Sequence, residues 1–195
     1  WRDVYKVLDV NLKGTINLLT YAAKSNSNKF LFVSSSEIYG KNHNSPVNEN
    51  TIPNPDNPYA ITKISSEYFC KMFSSISGLK VRIMRPVSHI GPYQRDSFSI
   101  ASFCKQVVMI KKGLRKDNIL YVGNIDVKRG IMDVRDVVDA YVIAMKLESK
   151  FEVLNVGSEK LYTLREVLEI IRELSNVDFI VKVRKELLRP NDRNM

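Results

Sequence analysis

Two hydrophobic periods alternate along this 195-residue chain, and the alternation restricts its fold more than any other feature. The segment 3–25, DVYKVLDVNLKGTINLLTYAAKS, spaces its apolar side chains as one face of a helix. KFLFVSS, 29–35, is a short apolar run ending in serines, the pattern of a buried parallel strand. A polar, proline-bearing stretch follows over 40–58. A helix then starts at Pro58, where a missing N–H costs nothing, and runs to about Ser77, with Gly78 closing it. LKVRIMRP reads as a second buried strand, stopped by Pro86 and followed by a loop through Gly91 and Pro92. Beyond it come a helix (SIASFCKQVVMIKKG, ended by Gly113), a strand (NILYVG), a helix (VRDVVDAYVIAMKLE) and a strand (FEVLNVG). TLREVLEIIRELS is a helix opened by a capping box of Thr163 with Glu166, and DFIVKV is the last strand.

Strands alternating with helices of this length make βαβ units, hence an α/β fold with a mainly parallel sheet. A change of character between Pro86 and Ser97 suggests a main sheet over 1–97 and a smaller lobe over 98–195, some of whose strands return to the main sheet. No repeat of fixed period interrupts this scheme.

Composition narrows the function classes. The formal charge of +9 is spread through every segment, without a basic block interleaved with aromatics, so a solvated basic surface is expected rather than nucleic-acid binding. The two cysteines, Cys70 and Cys104, lie in apolar helical contexts and are expected to be reduced core thiols. Phe103 and Met109, at helical spacing, are expected in the core. With His43 and His89 the only histidines and no metal-ligand spacing, no metal is expected. Apolar runs are short and interrupted by charge, which predicts a soluble, cytoplasmic protein with no membrane partner.

The stretch NPYAITKISSEYF puts Tyr59 and Lys63 four residues apart, hence on one helix face roughly 5–6 Å apart at Cβ. An ammonium beside a phenol stabilises the phenolate, which would lower the tyrosine pKa and make it a proton donor or acceptor near neutral pH. Among nine tyrosines roughly one such pair is expected by chance, so a plain surface Tyr–Lys contact stands beside the catalytic reading. Ligands of an open parallel sheet bind beyond the carboxyl ends of its strands. FLFVSSSEIYG places Ser34, Ser35, Ser36 and Glu37 at one such end, and VRIMRPVSHIGP places Arg85 to His89 at the next. A serine can hold a carbonyl or alkoxide oxygen while the tyrosine moves its proton, and the lysine can also grip a ribose. Alternatively the serines merely end the strand, Glu37 is a solvated carboxylate and His89 a loop histidine.

VSSSEIYG, then NPYAITKISSEYF, then RIMRPVSHIGPYQ, in this order and spacing, resemble the extended short-chain dehydrogenase/reductase (NAD-dependent epimerase/dehydratase) family of nucleotide-sugar enzymes, over essentially the whole chain. YVGNIDVKRGIMDVRDVVDAYVIAM, EVLNVGSEKLYTLREVLEII and LLRPND resemble the members that reduce the 4-keto group of GDP-4-keto-6-deoxymannose with NADPH or NADH. The resemblance implies a partial Rossmann-like, doubly wound parallel sheet with a smaller carboxy-terminal substrate lobe. By the same resemblance Ser35 and Tyr59 are the catalytic hydroxyls and Lys63 the ribose-gripping lysine. Ser34, Tyr59, Lys63, Arg85, Pro86 and Val87 would contact NADP or NAD. Ser35, Ser36, Ser88, Arg129 and the run Arg189, Pro190, Asn191 and Asp192 would contact the nucleotide-sugar. Glu37 would serve as acid/base in the related dehydratases. Related enzymes usually carry Asn at the place of Ser88 and Arg-Asp-Phe at Arg129-Gly130-Ile131. A homodimer is implied, through the opening helix and the Tyr/Lys helix. The chain holds no G-x-G-x-x-G or G-x-x-G-x-x-G turn for a pyrophosphate. It is therefore either a piece lacking an amino-terminal segment or a protein without that loop. Internal redox by a 4,6-dehydratase or 4-epimerase, and a non-catalytic binding domain, are the competing readings.

Overall fold

The computed structural model describes residues 3–25, 27–40 and 46–188. They form two units. The first comprises 1–87 with 135–157, the second 88–134 with 158–195, the chain passing between them after Val87, Val134 and Gly157. The sequence pattern had placed one division at 97/98. The three crossings arise because helix 134–146 and strand 151–156 return to the first sheet.

In the first unit, α1 (Val4–Val7), a π-helical stretch (Leu8–Lys13) and α2 (Gly14–Lys24) form a continuous helical run. Strands β1 (Lys29–Val33), β2 (Lys80–Pro86) and β6 (Phe151–Val156) make a parallel sheet in the order β1-β2-β6. Phe32 lies opposite Ile83, and Met84 opposite Leu154. Helix α3 (Pro58–Ser77) links β1 to β2. Its start follows from the sequence: the Asn57 side chain accepts a 2.9 Å bond from the Ala60 amide, and Pro58 occupies the first turn. Its end follows too, since Gly78 adopts φ 74°, a left-handed cap that a Cβ would disfavour.

The period of two along β2 decides what lies on each face. Val81 and Ile83 join Leu19, Ala22, Phe32, Cys70 and Leu79 in a core beneath α2 and α3. Arg82 points oppositely and is fully buried. Its guanidinium donates to the carbonyls of Val81, Ala144, Leu147 and Ser149, satisfying the carboxyl end of α5 (Val134–Lys146). The π-helical stretch sets Asn11 against α3: its side chain donates to Thr62 Oγ1 at 3.1 Å, and its carbonyl accepts from Thr15 and Ser66.

The second unit holds β4 (Ile119–Val122) parallel to β8 (Ile180–Val183), and β5 (Lys128–Asp133) parallel to β3 (Ser88–Ile90) and antiparallel to β7 (Leu161–Thr163). Its core gathers Phe103 and Val107 from α4 (Ser99–Lys111), Leu120 and Val122 from β4, Leu164 and Leu168 from α6 (Leu164–Ser175), and Phe179. The Thr163–Glu166 capping box is present in both directions. Strands β3, β5 and β7 were not legible as strands. β3 and β7 are three residues each, and β5 carries a glycine and charges where alternation would be sought. Cys70 is buried as expected and its thiol is pushed up to about 12, chiefly by burial. Cys104, expected in the core, is exposed, because Phe103 and Val107 take the buried stripe of α4. Met109 is half-buried on the same helix. No helix among the described residues is long and apolar enough to cross a membrane.

Candidate active site

β1 delivers Ser34 and Ser35 at its carboxyl end, where Ser34 N still donates to Met84 O at 2.7 Å. The chain then turns through a single 3₁₀ helix, Ser36–Tyr39, started by the Ser35 side chain, which accepts from the Glu37 amide at 3.1 Å. Gly40 ends the turn at φ 72°, and a Cβ there would lie 1.9 Å from the Asn54 carbonyl oxygen, so only glycine closes it.

Tyr59 and Lys63 project from the first turns of α3. The Tyr59 phenol stands near enough to Ser35 for the serine side chain to act on its pKa. The Lys63 ammonium donates to Val33 O at 2.9 Å, lying 5.0 Å from the Phe32 ring centroid and 5.7 Å from that of Tyr59. Glu37 Oε2 accepts from Asn57 Nδ2 at 3.0 Å. The structure thus brings Ser35, Glu37, Tyr59 and Lys63 together, all within the first unit.

The electrostatics correct one expectation. Burial pushes the Tyr59 phenol above its ordinary value; the Ser35 side chain opposes this, and the nearby Glu37 charge adds to it. The lysine does not reverse that balance. Its amine is aimed at a backbone carbonyl, and burial moves its own pKa below the ordinary value. Tyr59 is therefore protonated at neutral pH, the state a proton donor needs. Tyr141, on α5, feels the Tyr59 charge and is itself raised, mainly by burial.

The other candidates fall in different places. Ser36 and Glu37 are half-buried on the 3₁₀ turn. Ser34 is 2% exposed, its hydroxyl donating to Glu67 Oε1 at 2.5 Å. Arg85, expected at a cofactor, instead spends its buried guanidinium on Glu67 (Nε to Oε1 3.0 Å, Nη2 to Oε2 2.6 Å) and on Tyr39 Oη (2.8 Å). Burial alone would depress its pKa, but Glu67 and Tyr39 hold it charged, above the ordinary arginine value. Pro86 is buried at the end of β2, and Val87 donates its amide to Val156 O at 2.9 Å. Ser88 is exposed on β3 and Arg129 lies on β5, both in the second unit. Arg189, Pro190, Asn191 and Asp192 lie outside the described residues. Glu67, Tyr39 and Asn57 escaped the sequence reading. A signal for Glu67 existed: it stands four residues beyond Lys63, on the stripe that Tyr59 and Lys63 begin.

The family model described as GDP-mannose 4,6 dehydratase matches residues 1–193. The chain is 38% identical to GDP-6-deoxy-D-mannose reductase of Pseudomonas aeruginosa, over 100% of this chain and 65% of that protein. The structure of RMD from Pseudomonas aeruginosa complexed with NADPH superposes with a TM-score of 0.91 at 36% identity, covering 99% of this chain and 65% of that one. UDP-N-acetylglucosamine 4-epimerase from Methanobrevibacter ruminantium M1, in complex with UDP-N-acetylmuramic acid, matches with a TM-score of 0.82 at 28% identity, over 96% and 59% of the two chains. The chain thus spans less than two thirds of the length of these relatives.

Proposed function

This chain belongs to the GDP-mannose 4,6-dehydratase family of nucleotide-sugar enzymes, and from that membership we propose that it carries the catalytic hydroxyls of an oxidoreductase that reduces the 4-keto group of GDP-4-keto-6-deoxymannose. The observation that carries the reading is the gathering of the Ser35 and Tyr59 hydroxyls, with the Lys63 ammonium beside them, at the end of β1. Two hydroxyls and an ammonium fit a sugar carbonyl and the ribose of a nicotinamide cofactor, NADP or NAD. That cofactor, when bound, supplies the hydride. Tyr59 donates its proton to the C4 oxygen as negative charge develops there, and the Ser35 hydroxyl donates a hydrogen bond to the same oxygen. Solvent returns the proton to the phenolate that remains, and Lys63 is assigned to the ribose. Ser36, Ser88 and Arg129 are assigned to the nucleotide-sugar, with Arg189, Pro190, Asn191 and Asp192 at its nucleotide end, arginine being suited to bidentate phosphate contact. Pro86 and Val87 are assigned to the nicotinamide side.

The test is NADPH or NADH consumption by the full-length protein that contains this chain, with GDP-4-keto-6-deoxymannose as substrate. Stoichiometric oxidation of the cofactor is expected; unchanged absorbance would remove the reductase reading. Glu37 favours a second reading, internal redox by a 4,6-dehydratase or 4-epimerase, because its carboxylate acts electrostatically on Tyr59. Glu37→Gln separates the two: elimination chemistry loses most of its turnover, reduction little.

We also propose a homodimer through the opening helices and α3. Leu18 and Tyr21 of α2 and Ile61, Tyr68, Met72 and Ile76 of α3 are exposed, those of α3 in one helical stripe. Sedimentation of the full-length protein as a monomer at micromolar concentration would reject it.

A further inference from the structure

Beneath the Ser35–Tyr59–Lys63 surface lies a continuous buried polar chain. Tyr59, Lys63 and Glu67 follow one another at intervals of four on α3, so the third residue of the stripe is a carboxylate directed into the protein, 5% exposed. An isolated carboxylate there would be costly, and Arg85, itself 6% exposed, compensates it through two parallel hydrogen bonds. From this pair the network runs outward along three routes. Glu67 Oε1 accepts from Ser34, the residue immediately before Ser35. Arg85 Nη1 donates to Tyr39 Oη, on the 3₁₀ turn that carries Glu37, and Tyr39 donates on to Asn155 Oδ1 of β6 at 2.7 Å. Arg85 Nη1 also reaches Glu49 O at 3.3 Å, while Glu49 Oε1 accepts from the Asn155 amide at 2.7 Å.

We propose that Glu67 and Arg85 are positioning residues: their ion pair clamps the end of β1 and the 3₁₀ turn to α3, and so holds Ser35 in place beside Tyr59. The proposal rests on the hydride-transfer reading of the same site. A buried ion pair is weak evidence for stability, because apolar residues of similar volume commonly serve a core as well. This network instead fixes geometry. Five of its hydrogen bonds have Ser34, Tyr39 or α3 at one end, and the catalytic hydroxyls are borne by these same short segments. Reaction rates fall steeply when reacting groups are misplaced by about 1 Å.

The test uses three variants of the full-length protein. Ser34→Ala removes the hydroxyl that links Glu67 to the strand end and changes no charge. Glu67→Gln keeps the shape and loses the charge. Ser74→Ala is the control: it deletes a hydroxyl equally buried on α3, bonded to Lys150 O, at the far end of the helix from the site. The first two should lower kcat about 10-fold or more while leaving KM for both substrates within about twofold, and the control should change neither.

A second readout needs no turnover. With tyrosine labelled at Cζ by ¹³C, the titration of Tyr59 is followed by NMR. The groups facing it are Ser35 and Glu37 from the strand end, Lys63 from its own helix and Tyr141 from α5. Displacing Ser35 from Tyr59 leaves burial and Glu37 unopposed, so the Tyr59 midpoint should rise in Ser34→Ala and stay in place in Ser74→Ala. If Ser34→Ala and Glu67→Gln match the control in kcat and Ser34→Ala matches it in the Tyr59 midpoint, the clamp is overturned while the hydride-transfer reading stands. If the unaltered protein reduces no 4-keto nucleotide-sugar, the hydride-transfer reading fails, and the Tyr59 titration still decides whether the network positions Ser35.

Discussion

The two units bury different chemistry. Among the described residues every buried polar or charged side chain, from Thr15 through Ser34, Asn57, Thr62, Ser66, Glu67, Ser74 and Arg82 to Arg85, lies in the first unit. The core of the second is Phe103, Val107, Leu120, Val122, Ile125, Val127, Leu164, Leu168 and Phe179, without a charge among them. Apolar packing is non-directional and tolerates volume-conserving exchange, which suffices for an element that has only to hold its shape. Hydrogen bonds and ion pairs are directional, and in the first unit they tie strand ends and helices together, at Ser34, Glu67 and Arg85 beneath the Ser35, Tyr59 and Lys63 side chains and at Arg82 and Ser74 elsewhere.

Substitutions can break this contrast, and the largest effect belongs at its chemical end. Tyr59→Phe should reduce kcat by about 10³-fold, the scale of a lost general acid, while leaving the melting temperature nearly unchanged. A loss below tenfold in steady-state assays would mean that the proton comes from elsewhere. Arg85→Met should destabilise the first unit by about 3–5 kcal/mol, because it strands the Glu67 carboxylate, and a double variant with Glu67→Met should recover most of that in denaturant titrations. Failure of the double variant to recover would show that the surrounding polar groups, not the unpaired charge, set the cost. In the apolar core, Leu168→Ala should cost about 2–5 kcal/mol through lost burial and the cavity left behind, with kcat at saturating substrate retained. Thr163→Ala, which opens the capping box of α6, should cost about 1 kcal/mol by the same measurement.

The smallest effect lies at the amino ends of β1 and β2. There Glu148 accepts from Lys29 at 2.6 Å and Lys80 at 2.7 Å, and these two bonds hold its pKa at about 2. A depressed carboxylate contributes stability above its ordinary pKa and loses it as pH falls towards 2. Glu148→Gln should therefore lower the melting temperature slightly at neutral pH, not at all near pH 2, and less in high salt, since the carboxylate is exposed.

Much of the fold was legible because its signals are local. The 3.6-residue period of 3–25, Pro58 and Gly78 bounding α3, and Thr163 paired with Glu166 each act over a few consecutive residues. The same holds for the shared face of Tyr59 and Lys63. β3 and β7 were not legible because a three-residue strand has no period to read, and β5 because a glycine and charges break its alternation; the partners of all three are segments apart in sequence. Arg85 was read as a cofactor contact from the family resemblance and its place at a strand end. Its partner Glu67, eighteen residues earlier, is identified only when α3 lies against the sheet.

By itself, then, the sequence determined the helices and their caps, the three parallel strands of the first unit and the spacing of Ser35, Tyr59 and Lys63, since propensity, capping and side-chain period are properties of neighbouring residues. Only the tertiary structure decided that Tyr59 is held protonated and not activated by Lys63, that Cys104 faces solvent, and that the end of β1 is tied to α3 through Glu67 and Arg85. Those outcomes depend on burial and on charges brought together from distant parts of the chain, and a pKa or a buried ion pair exists only once that environment has formed.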